Sequence, residues 1–410
     1  MMKTNNIPKL RFPEFKSNYE LLLLNDITKW SSGGTPSKQN ELYWNGNIPW
    51  ISASTMKGNV FINSDLKITE VGLKSGSKIC KKGDLLLLVR GSMLFNKIPI
   101  GMAGVDVAFN QDLKSISVNE KSNSLFLIYW FLHSESIILD MVTSTGIGAG
   151  KLDLSDLQNL KLNLPSLPEQ QKIASFLTTV DNKISNLKQK ISLLEKYKKG
   201  VMQQIFSQQI RFKDEKGNDF PEWEEKSLGE VAEFRRGSFP QPYGLKKWYD
   251  ELNGLPFVQV YDVDDNMKLK GSTKTKISKL GAKQSVFVPK GTIVITIQGS
   301  IGRIAKTQYD AYIDRTLLIF TSYKFPIDIE FFKYVVYLLF DIEKTKAPGG
   351  IIKTITKEVL SSFNIMLPTI NEQTKIAEFL SSIDEKIETT KLQLSKMEVW
   401  KKGLLQGMFC

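Results

Sequence analysis

The chain has 410 residues, of which 41% are hydrophobic and 10% aromatic, so it can bury sizeable cores and wholesale disorder is excluded. Its length favours two to four compact units. Lysine and arginine number 55 against 43 aspartates and glutamates, and the net charge of +12 suits a polyanionic partner such as nucleic acid.

The cysteine count and the start of the chain indicate the compartment. Cys80 and Cys410 are the only cysteines, too few for a disulfide framework or a cysteine-based zinc site. The first residues lack an apolar signal segment, and no stretch reaches the roughly 18 apolar residues of a membrane span. We therefore expect a cytoplasmic protein.

Residues 1–164 are predicted to form a compact α/β domain. The apolar run at residues 84–89 follows a Lys-Gly turn and is typical of a buried strand. Residues 125–132 are almost wholly apolar and predict a buried helix.

A long helix is predicted to follow at residues 165–206. It begins after Pro165 with Glu169 in the first turn, where a negative charge suits the helix dipole. Apolar residues then recur at alternating intervals of four and three, a spacing that forms one stripe for pairing with another helix. They are Val180, Ile184, Leu187, Ile191 and Leu194.

The rest of the chain repeats this plan. Residues 368–409 align with residues 165–206 without a gap at an offset of 203, and nearly half of the aligned positions are identical. The helical stripe is repeated by Ile383, Ile387, Leu394 and Met397. Residues 207–367 between the helices contain a strand candidate at 292–297 and a helix candidate at 330–340. A duplicated frame with divergent inserts suits a protein that recognises two different things with one geometry.

The two long helices need a partner, because their length far exceeds that of ordinary globular helices. The simplest partner of each is the other, in an antiparallel coiled coil that lets two tandem halves approach two-fold symmetry. The alternative is two unrelated helices in separate cores. We thus expect a mixed α+β fold, with α/β domains at 1–164 and 207–367 alternating with helices at 165–206 and 368–410.

Signals of catalysis are weak. Residues 143–152 resemble a phosphate loop, but Thr145 stands where glycine is required and Leu152 where serine or threonine is required. The single histidine, His133, lies in the apolar helix candidate without a second histidine or a cysteine for a metal site. The acid-lysine patterns at 224–226 and 384–386 are common and predicted to be on solvated surfaces. We expect no catalytic residue, no metal and no cofactor in this chain.

Several motifs carry a family resemblance. Residues 8–15 are restated in part by residues 211–212 and 220–223. Both long helices start with a Leu-Pro pair followed by Glu-Gln, in residues 164–170 and 367–373. Together with Gly-Gly-Thr-Pro-Ser at 33–37, these motifs resemble the specificity subunits of type I restriction-modification systems over essentially the whole chain. The second half departs from the pattern, because it has Arg-Arg-Gly-Ser-Phe-Pro at 235–240.

The resemblance implies two target recognition domains that each read one part of a bipartite DNA site, with the antiparallel helices acting as a ruler. It also implies docking of two modification (methyltransferase) subunits and of restriction (motor and nuclease) subunits. S-adenosylmethionine, ATP and Mg would then be bound by those partners. A corollary is that inserting residues after Leu187 changes the unread spacer between the two parts.

The side chains that we predict to contact DNA are polar or basic residues of the domain loops, which can hold phosphates or read base edges. In the first domain they are Thr35, Ser37, Lys38, Arg90, Ser92, Asn96 and Lys97. In the second they are Arg235, Arg236, Lys246, Lys247, Gln298, Ser300, Arg303 and Arg315.

Two other assignments remain open from the sequence alone: a specificity subunit of a related system that cuts on both sides of its site, and a stand-alone DNA-binding regulator. An acidic protein that mimics DNA is excluded by the charge of +12. A fused methyltransferase-nuclease is disfavoured, because this sequence lacks the motifs of such an enzyme.

Overall fold

The structure is a computed structural model that describes residues 7–56, 58–146, 148–346 and 357–410. The chain folds into two compact units. Unit 1 comprises Met1–Lys190 with Thr390–Cys410, and unit 2 comprises Ile191–Thr389. Each unit thus contains part of both long helices. The sequence-based boundaries treat each helix as a segment outside the α/β domains, and they stay a prediction.

Unit 1 is built mainly from short strands. These are β1 (Glu20–Leu23), β2 (Thr28–Ser32), β3 (Trp44–Ile51), β4 (Val60–Phe61), β5 (Lys67–Ile68), β6 (Lys78–Cys80), β7 (Leu85–Leu88), β8 (Arg90–Gly91), β9 (Ile100–Ala103), β10 (Val107–Phe109), β11 (Leu113–Val118), β12 (Thr143–Ser144), β13 (Gly150–Lys151) and β14 (Lys161–Leu164). The short helices are α1 (Leu24–Ile27), α2 (Glu70–Lys74), α3 (Ser124–His133), α4 (Glu135–Asp140) and α5 (Leu154–Gln158).

The sheets of unit 1 have the strand orders β2-β11-β7-β9-β4, β5-β3-β10-β6, β12-β13-β8 and β1-β14. Strand β7, predicted from the apolar run at residues 84–89, lies inside the first of these sheets with all four leucines buried. The core that surrounds it includes the apolar helix α3. A strand buried on both faces has no polar alternation, which explains the continuous leucine run.

Unit 2 repeats the architecture. Its strands are β15 (Glu224–Ser227), β16 (Ala232–Arg236), β17 (Leu255–Val258), β18 (Thr275–Ile277), β19 (Val286–Val288), β20 (Ile293–Thr296), β21 (Ile304–Lys306), β22 (Ala311–Ile313), β23 (Leu317–Tyr323) and β24 (Asn364–Leu367). Its short helices and the helix that corresponds to α3 are α7 (Leu228–Val231), α8 (Lys279–Ala282), α9 (Ile329–Lys346) and α10 (Lys357–Ser361). The orders β16-β23-β20-β21, β18-β17-β22-β19 and β15-β24 match three sheets of unit 1.

The two long helices are α6 (Leu167–Phe206) and α11 (Ile370–Met408). In unit 1 they run antiparallel, because Lys401 pairs with Asp181 at 2.6 Å while Lys188, further along α6, pairs with the earlier Glu398 at 2.8 Å. The predicted fold class, α/β domains with two long antiparallel helices, is confirmed in these features. The stripe residues Val180, Ile184, Leu187, Ile191, Ile383 and Ile387 are buried, and Leu194, Leu394 and Met397 are partly buried.

The Glu-Gln pair at the start of each long helix is buried and fully engaged. Arg11 donates to both carboxylate oxygens of Glu169 at 2.8 Å, and the Tyr19 hydroxyl donates to the same carboxylate at 2.9 Å. Gln170 accepts from the backbone N–H of Asn123 at 2.9 Å and donates to the Pro165 carbonyl at 2.8 Å. The helix start is thereby joined to the N-terminal segment and to the beginning of α3.

Unit 2 contains the same anchor. Glu372 accepts from Arg211 at 3.0 Å and from the Trp223 indole at 2.9 Å. Gln373 accepts from the backbone N–H of Asp328 at 2.9 Å and donates to the Pro368 carbonyl at 2.9 Å. The Glu-Gln pair, predicted to mark the start of each long helix, therefore attaches that helix to its α/β domain.

A second duplicated network lies between the long helices. In unit 1, Asp181 accepts from the Tyr129 hydroxyl at 3.0 Å and pairs with Lys401. In unit 2, Asp384 accepts from the Tyr334 hydroxyl at 2.6 Å and pairs with Lys198 at 2.5 Å. Burial, with the aspartate beside it, raises the pKa of each tyrosine, so both phenols stay protonated donors at neutral pH.

Candidate nucleic-acid interface

Two loops of unit 1 meet at the turn between β10 and β11. The loop after β2 approaches from one side, where the Gly34 backbone N–H donates to the Phe109 carbonyl at 2.9 Å. The chain after β7 approaches from the other, where the Val89 N–H donates to the Asp112 carbonyl at 2.9 Å. We call this meeting point the loop junction of unit 1; it comprises residues 33–37, 89–92 and 110–112.

Unit 2 forms the same junction with the same backbone bonds. The Ser238 N–H donates to the Ile313 carbonyl and the Ile297 N–H to the Thr316 carbonyl, each at 2.9 Å. The loop junction of unit 2 comprises residues 237–240, 297–300 and 314–316. The loops that carry the predicted DNA-contacting residues, which are distant in sequence, are therefore brought together in each unit.

A glycine permits the close approach of the first loop to the turn. A Cβ atom at Gly33 would lie 2.2 Å from the Phe109 carbonyl oxygen, and one at Gly237 would lie 2.3 Å from the Asp314 carbonyl oxygen. Both distances are far inside van der Waals contact, so neither position can carry a side chain without moving the loop. This accounts for a glycine at the same place in both halves, Gly33 in unit 1 and Gly237 in unit 2.

The side chains that the two junctions present are different. In unit 1, the Thr35 hydroxyl donates to the Gln111 side chain at 2.6 Å, and Arg90 and Ser92 are exposed. In unit 2, the Arg315 guanidinium lies 4.6 Å from the centroid of the Phe239 ring, and Gln298 and Ser300 are exposed. One backbone frame thus carries two sets of hydrogen-bonding groups.

The other predicted contact residues lie around the junctions. Ser37 and Lys38 continue the first loop of unit 1, and Asn96 and Lys97 follow the 3-10 turn Ser92–Phe95; all four are exposed. In unit 2, Arg235 and Arg236 are exposed at the end of β16, and Lys246 and Lys247 are exposed in the 3-10 turn Lys246–Trp248. Arg303 is half-buried and its guanidinium pairs with Asp265 at 3.0 Å, so part of its charge is already neutralised.

Two exposed residues, one in the unit 1 junction and one beside it, were missed from the sequence. Gln111 is one, although its counterpart in the duplicated turn is Arg315, which was selected; aligning the two turns would have found it. Lys151 is the other, an exposed residue opposite Arg90 in the ladder of β13 and β8. No local sequence pattern predicts that β13 pairs with β8.

The catalytic-like segments have structural roles. Residues 143–152 contain the hairpin of β12 and β13 and not the strand-loop-helix of a phosphate site; the aligned residues 347–350 lie outside the described residues. His133 forms a hydrogen bond through Nδ1 with the Leu405 carbonyl at 2.9 Å and stacks on Phe409. The prediction that residues 384–386 are simply solvated was wrong for Asp384, which is part of the tyrosine-lysine network.

Within residues 7–56, 58–146, 148–346 and 357–410, no group of three or more His, Cys, Asp or Glu side chains could hold a metal ion. No helix in those ranges has the length and apolar character needed to cross a membrane.

The repeated α/β domains, long helices and loop junctions define a duplicated protein with the same backbone frame in both halves. A family model described as "Type I restriction modification DNA specificity domain" matches residues 16–196 and again residues 221–398. The chain belongs to this family of type I restriction-modification specificity subunits.

Similar proteins include matches over almost the full length and over part of the chain. The chain is 26% identical to the putative type I restriction enzyme MjaX specificity subunit of Methanocaldococcus jannaschii, over 98% of this chain and 95% of that one. It is 32% identical to the EcoR124I/EcoR124II specificity subunit of Escherichia coli over 38% of this chain and 40% of that one. The crystal structure of the type I S subunit from M. genitalium shares the fold, with a TM-score of 0.62, 18% identity and coverage of 98% and 99%.

Proposed function

We propose that this chain is the DNA-reading subunit of a type I restriction-modification complex, and that each loop junction reads one part of a bipartite DNA site. The observation that carries the proposal is the repeated junction. Its backbone bonds are the same in both units, whereas Thr35, Gln111 and Arg90 of one unit are replaced by Phe239, Arg315 and Gln298 in the other.

These side chains suit base reading in the major groove. Arginine forms paired hydrogen bonds with guanine, and glutamine forms them with adenine, so a change of side chain on a fixed frame changes the base that is preferred. The surrounding lysines would hold phosphates and set the register without reading sequence. Two different junctions in one chain therefore support two different half-sites.

The long helices would set the distance between the two half-sites. Supporting this role is their antiparallel pairing, which Asp181–Lys401 and Lys188–Glu398 keep in register in unit 1. A paired helix has a length fixed by 1.5 Å per residue and resists bending more than a single helix does.

Two modification subunits would bind to the same helices, and restriction subunits would join the resulting complex. Exposed aromatic residues occur at equivalent positions, Tyr197 at 53% and Trp400 at 48% exposure. Three residues later, Gly200 and Gly403 leave open space where a side chain would project. Residues three apart share a helix face, so each copy presents an aromatic side chain beside bare backbone, which suits close packing of a partner.

Catalysis would belong to the partners. We assign S-adenosylmethionine and adenine methylation to the modification subunits, and ATP, Mg and DNA cleavage to the restriction subunits. In this chain, the phosphate-loop-like segment forms a hairpin and Asp384 is bound by Tyr334 and Lys198. These groups are used for structure, in keeping with a recognition subunit.

The test is single-molecule mapping of N6-methyladenine in cells that express this chain with its neighbouring methyltransferase gene. We expect a methylated motif of two short blocks around a fixed unread spacer, absent from cells that lack this chain. The same methylation with and without this chain would contradict the proposal and favour a stand-alone regulator.

A further inference from the structure

Unit 2 contains an open groove beside its loop junction, with a volume of about 650 Å³. Its walls carry three tyrosines and three lysines, and we call it the tyrosine groove. These residues are Tyr243, Tyr249, Tyr261, Lys246, Lys274 and Lys276. One carboxylate, that of Glu251, also lines it, so the groove carries an excess of positive charge.

The groove is held in shape by its own contacts. The Tyr261 hydroxyl lies 2.9 Å from the Thr275 hydroxyl and also hydrogen-bonds the side chain of Gln259. The Lys274 ammonium lies 5.2 Å from the centroid of the Tyr261 ring. Aromatic and cationic groups are thus already ordered beside one another on an exposed surface.

A row of three neighbouring side chains connects the loop junction to the groove. Arg315 of the junction lies over Phe239, and the Phe239 ring lies 4.8 Å from the ring of Tyr243. Tyr243 is 62% exposed and lines the groove. The loop junction and the groove are therefore neighbours on the surface of unit 2.

The equivalent surface of unit 1 can be identified from backbone bonds. The Thr69 N–H donates to the Tyr43 carbonyl at 3.0 Å, as the Ser278 N–H does to the Trp248 carbonyl at 2.8 Å. This register places Glu41 at the position of Lys246.

Two further positions also differ between the units. Thr69 directly follows β5 as Ser278 follows β18, which aligns Asp65 with Lys274. The matching 3-10 turns Ala53–Thr55 and Val260–Asp262 align Ser54 with Tyr261. Unit 1 thus has carboxylates at two of the three lysine positions and Lys67 at the third, that of Lys276, so the larger excess of positive charge is a property of unit 2 and not of the shared frame.

The composition of the groove fits a sugar-phosphate backbone. Lysines are point charges that hold phosphates, and tyrosine hydroxyls and rings contact phosphate and sugar without selecting a base. We propose that the tyrosine groove binds the DNA backbone that flanks the half-site read by unit 2, so that unit 2 supplies more of the salt-dependent affinity than unit 1. This inference rests on the proposed function and extends the DNA-binding surface beyond the loop junction.

The test uses the full chain purified in complex with its methyltransferase partner, and a duplex that carries the motif mapped by methylation. Each phosphate contact contributes close to one unit to the slope of log affinity against log salt. We expect the Lys274→Gln/Lys276→Gln variant to lower the magnitude of this slope by about 2. The methylated motif should stay the same, because backbone contacts do not read sequence.

Two matched variants control for folding and for overall charge. Lys274→Arg/Lys276→Arg keeps the charges and should retain the wild-type slope. Lys213→Gln/Lys216→Gln removes two exposed charges from the segment before β15 and should also leave the slope unchanged.

Three outcomes would decide against the groove. They are an unchanged slope in the glutamine variant, an equal fall in the Lys213/Lys216 control, and a changed motif, which would mean that the groove reads bases. Each of these leaves the proposed function standing if the wild-type complex methylates a bipartite motif. Failure of the wild-type complex to do so would instead remove the proposed function.

Discussion

Arg11 and Glu169 are 158 residues apart in the chain and form a two-pronged ion pair, with the guanidinium Nε and Nη2 each 2.8 Å from a carboxylate oxygen. The Glu169 side chain is 1% exposed and that of Arg11 12%. Arg211 and Glu372 repeat the pair in unit 2. A buried charge depends on its partner for stability, so the N-terminal segment and the long helix are held together by each other.

We predict that Glu169→Gln lowers the free energy of unfolding by about 3 kcal/mol, because it leaves a partly buried guanidinium without its counter-charge. Urea denaturation followed by circular dichroism measures the change, and hydrogen exchange should localise it to unit 1. Glu14→Gln, which removes an exposed partner of Lys172, is the control and should leave the midpoint unchanged. Equal effects of the two variants would show that burial of the pair is unimportant.

Local patterns predicted the helices and their duplication well. The four-three spacing from Val180 and the starts with Leu-Pro followed by Glu-Gln gave helix bounds within two residues of α6 and α11. The same Glu169 was attributed only to the helix dipole, because Arg11 lies far away in sequence and no periodicity connects them. Gln111 was missed for a related reason: it lies in a turn whose importance depends on two loops that arrive from elsewhere.

His133 should make stability depend on pH. Burial lowers its pKa, an effect that outweighs the opposing hydrogen bond to the Leu405 carbonyl. The unfolded chain, with a histidine pKa near 6.5, therefore binds a proton more readily than the folded chain. Stability is fully present above pH 6.5 and is lost as pH falls toward the folded pKa.

We predict that His133→Gln reduces this loss between pH 6.5 and 5.5, because glutamine can donate to the same carbonyl without titrating. Thermal melting across that range measures it. The chain has one histidine, so no other imidazole contributes. Parallel pH profiles of the variant and the wild type would rule out His133 as the source.

Each loop junction should control one block of the DNA motif. We predict that Arg315→Ala relaxes one base position in one block, with a loss of discrimination of about 1 to 3 kcal/mol, and leaves the other block unchanged. Gln111→Ala should change only the other block. Methylation mapping of the two variants reads both results, and a change in both blocks by either variant would contradict independent reading.

The length of the helices should determine the spacer. A seven-residue insertion after Leu187 together with one after Met397 preserves the stripe and lengthens both helices by about 10 Å. The insertion points face each other, because Lys188 pairs with Glu398. We expect the mapped spacer to grow by about three base pairs at 3.4 Å each.

An insertion after Leu187 alone is the control for the double insertion. It shifts the register of one helix against the other, so we expect the changed spacer predicted from the sequence to come with weaker methylation than the double insertion gives. A double insertion that methylates the original motif would show that the helices do not measure DNA.

Gly200 and Gly403 should lower the stability of the long helices and favour binding of the methyltransferase subunits. We predict that Gly200→Ala raises the free energy of unfolding of the isolated chain by about 1 kcal/mol, because alanine favours a helix and its Cβ meets nothing within 4 Å. The same variant should retain less methyltransferase subunit on co-purification. Full retention would place the partner elsewhere.

The return of Thr390–Cys410 to unit 1, where Phe409 is buried against Phe126, has a consequence for synthesis on the ribosome. At 5 to 20 residues per second, roughly 10 to 45 seconds separate the emergence of residue 190 from that of the last residues. During that time the apolar surface which Leu404, Met408 and Phe409 cover is open, whereas the residues of unit 2 are contiguous and can fold as they emerge. Unit 1 is therefore synthesised first but completes its core last. We expect it to need a chaperone more than unit 2 does.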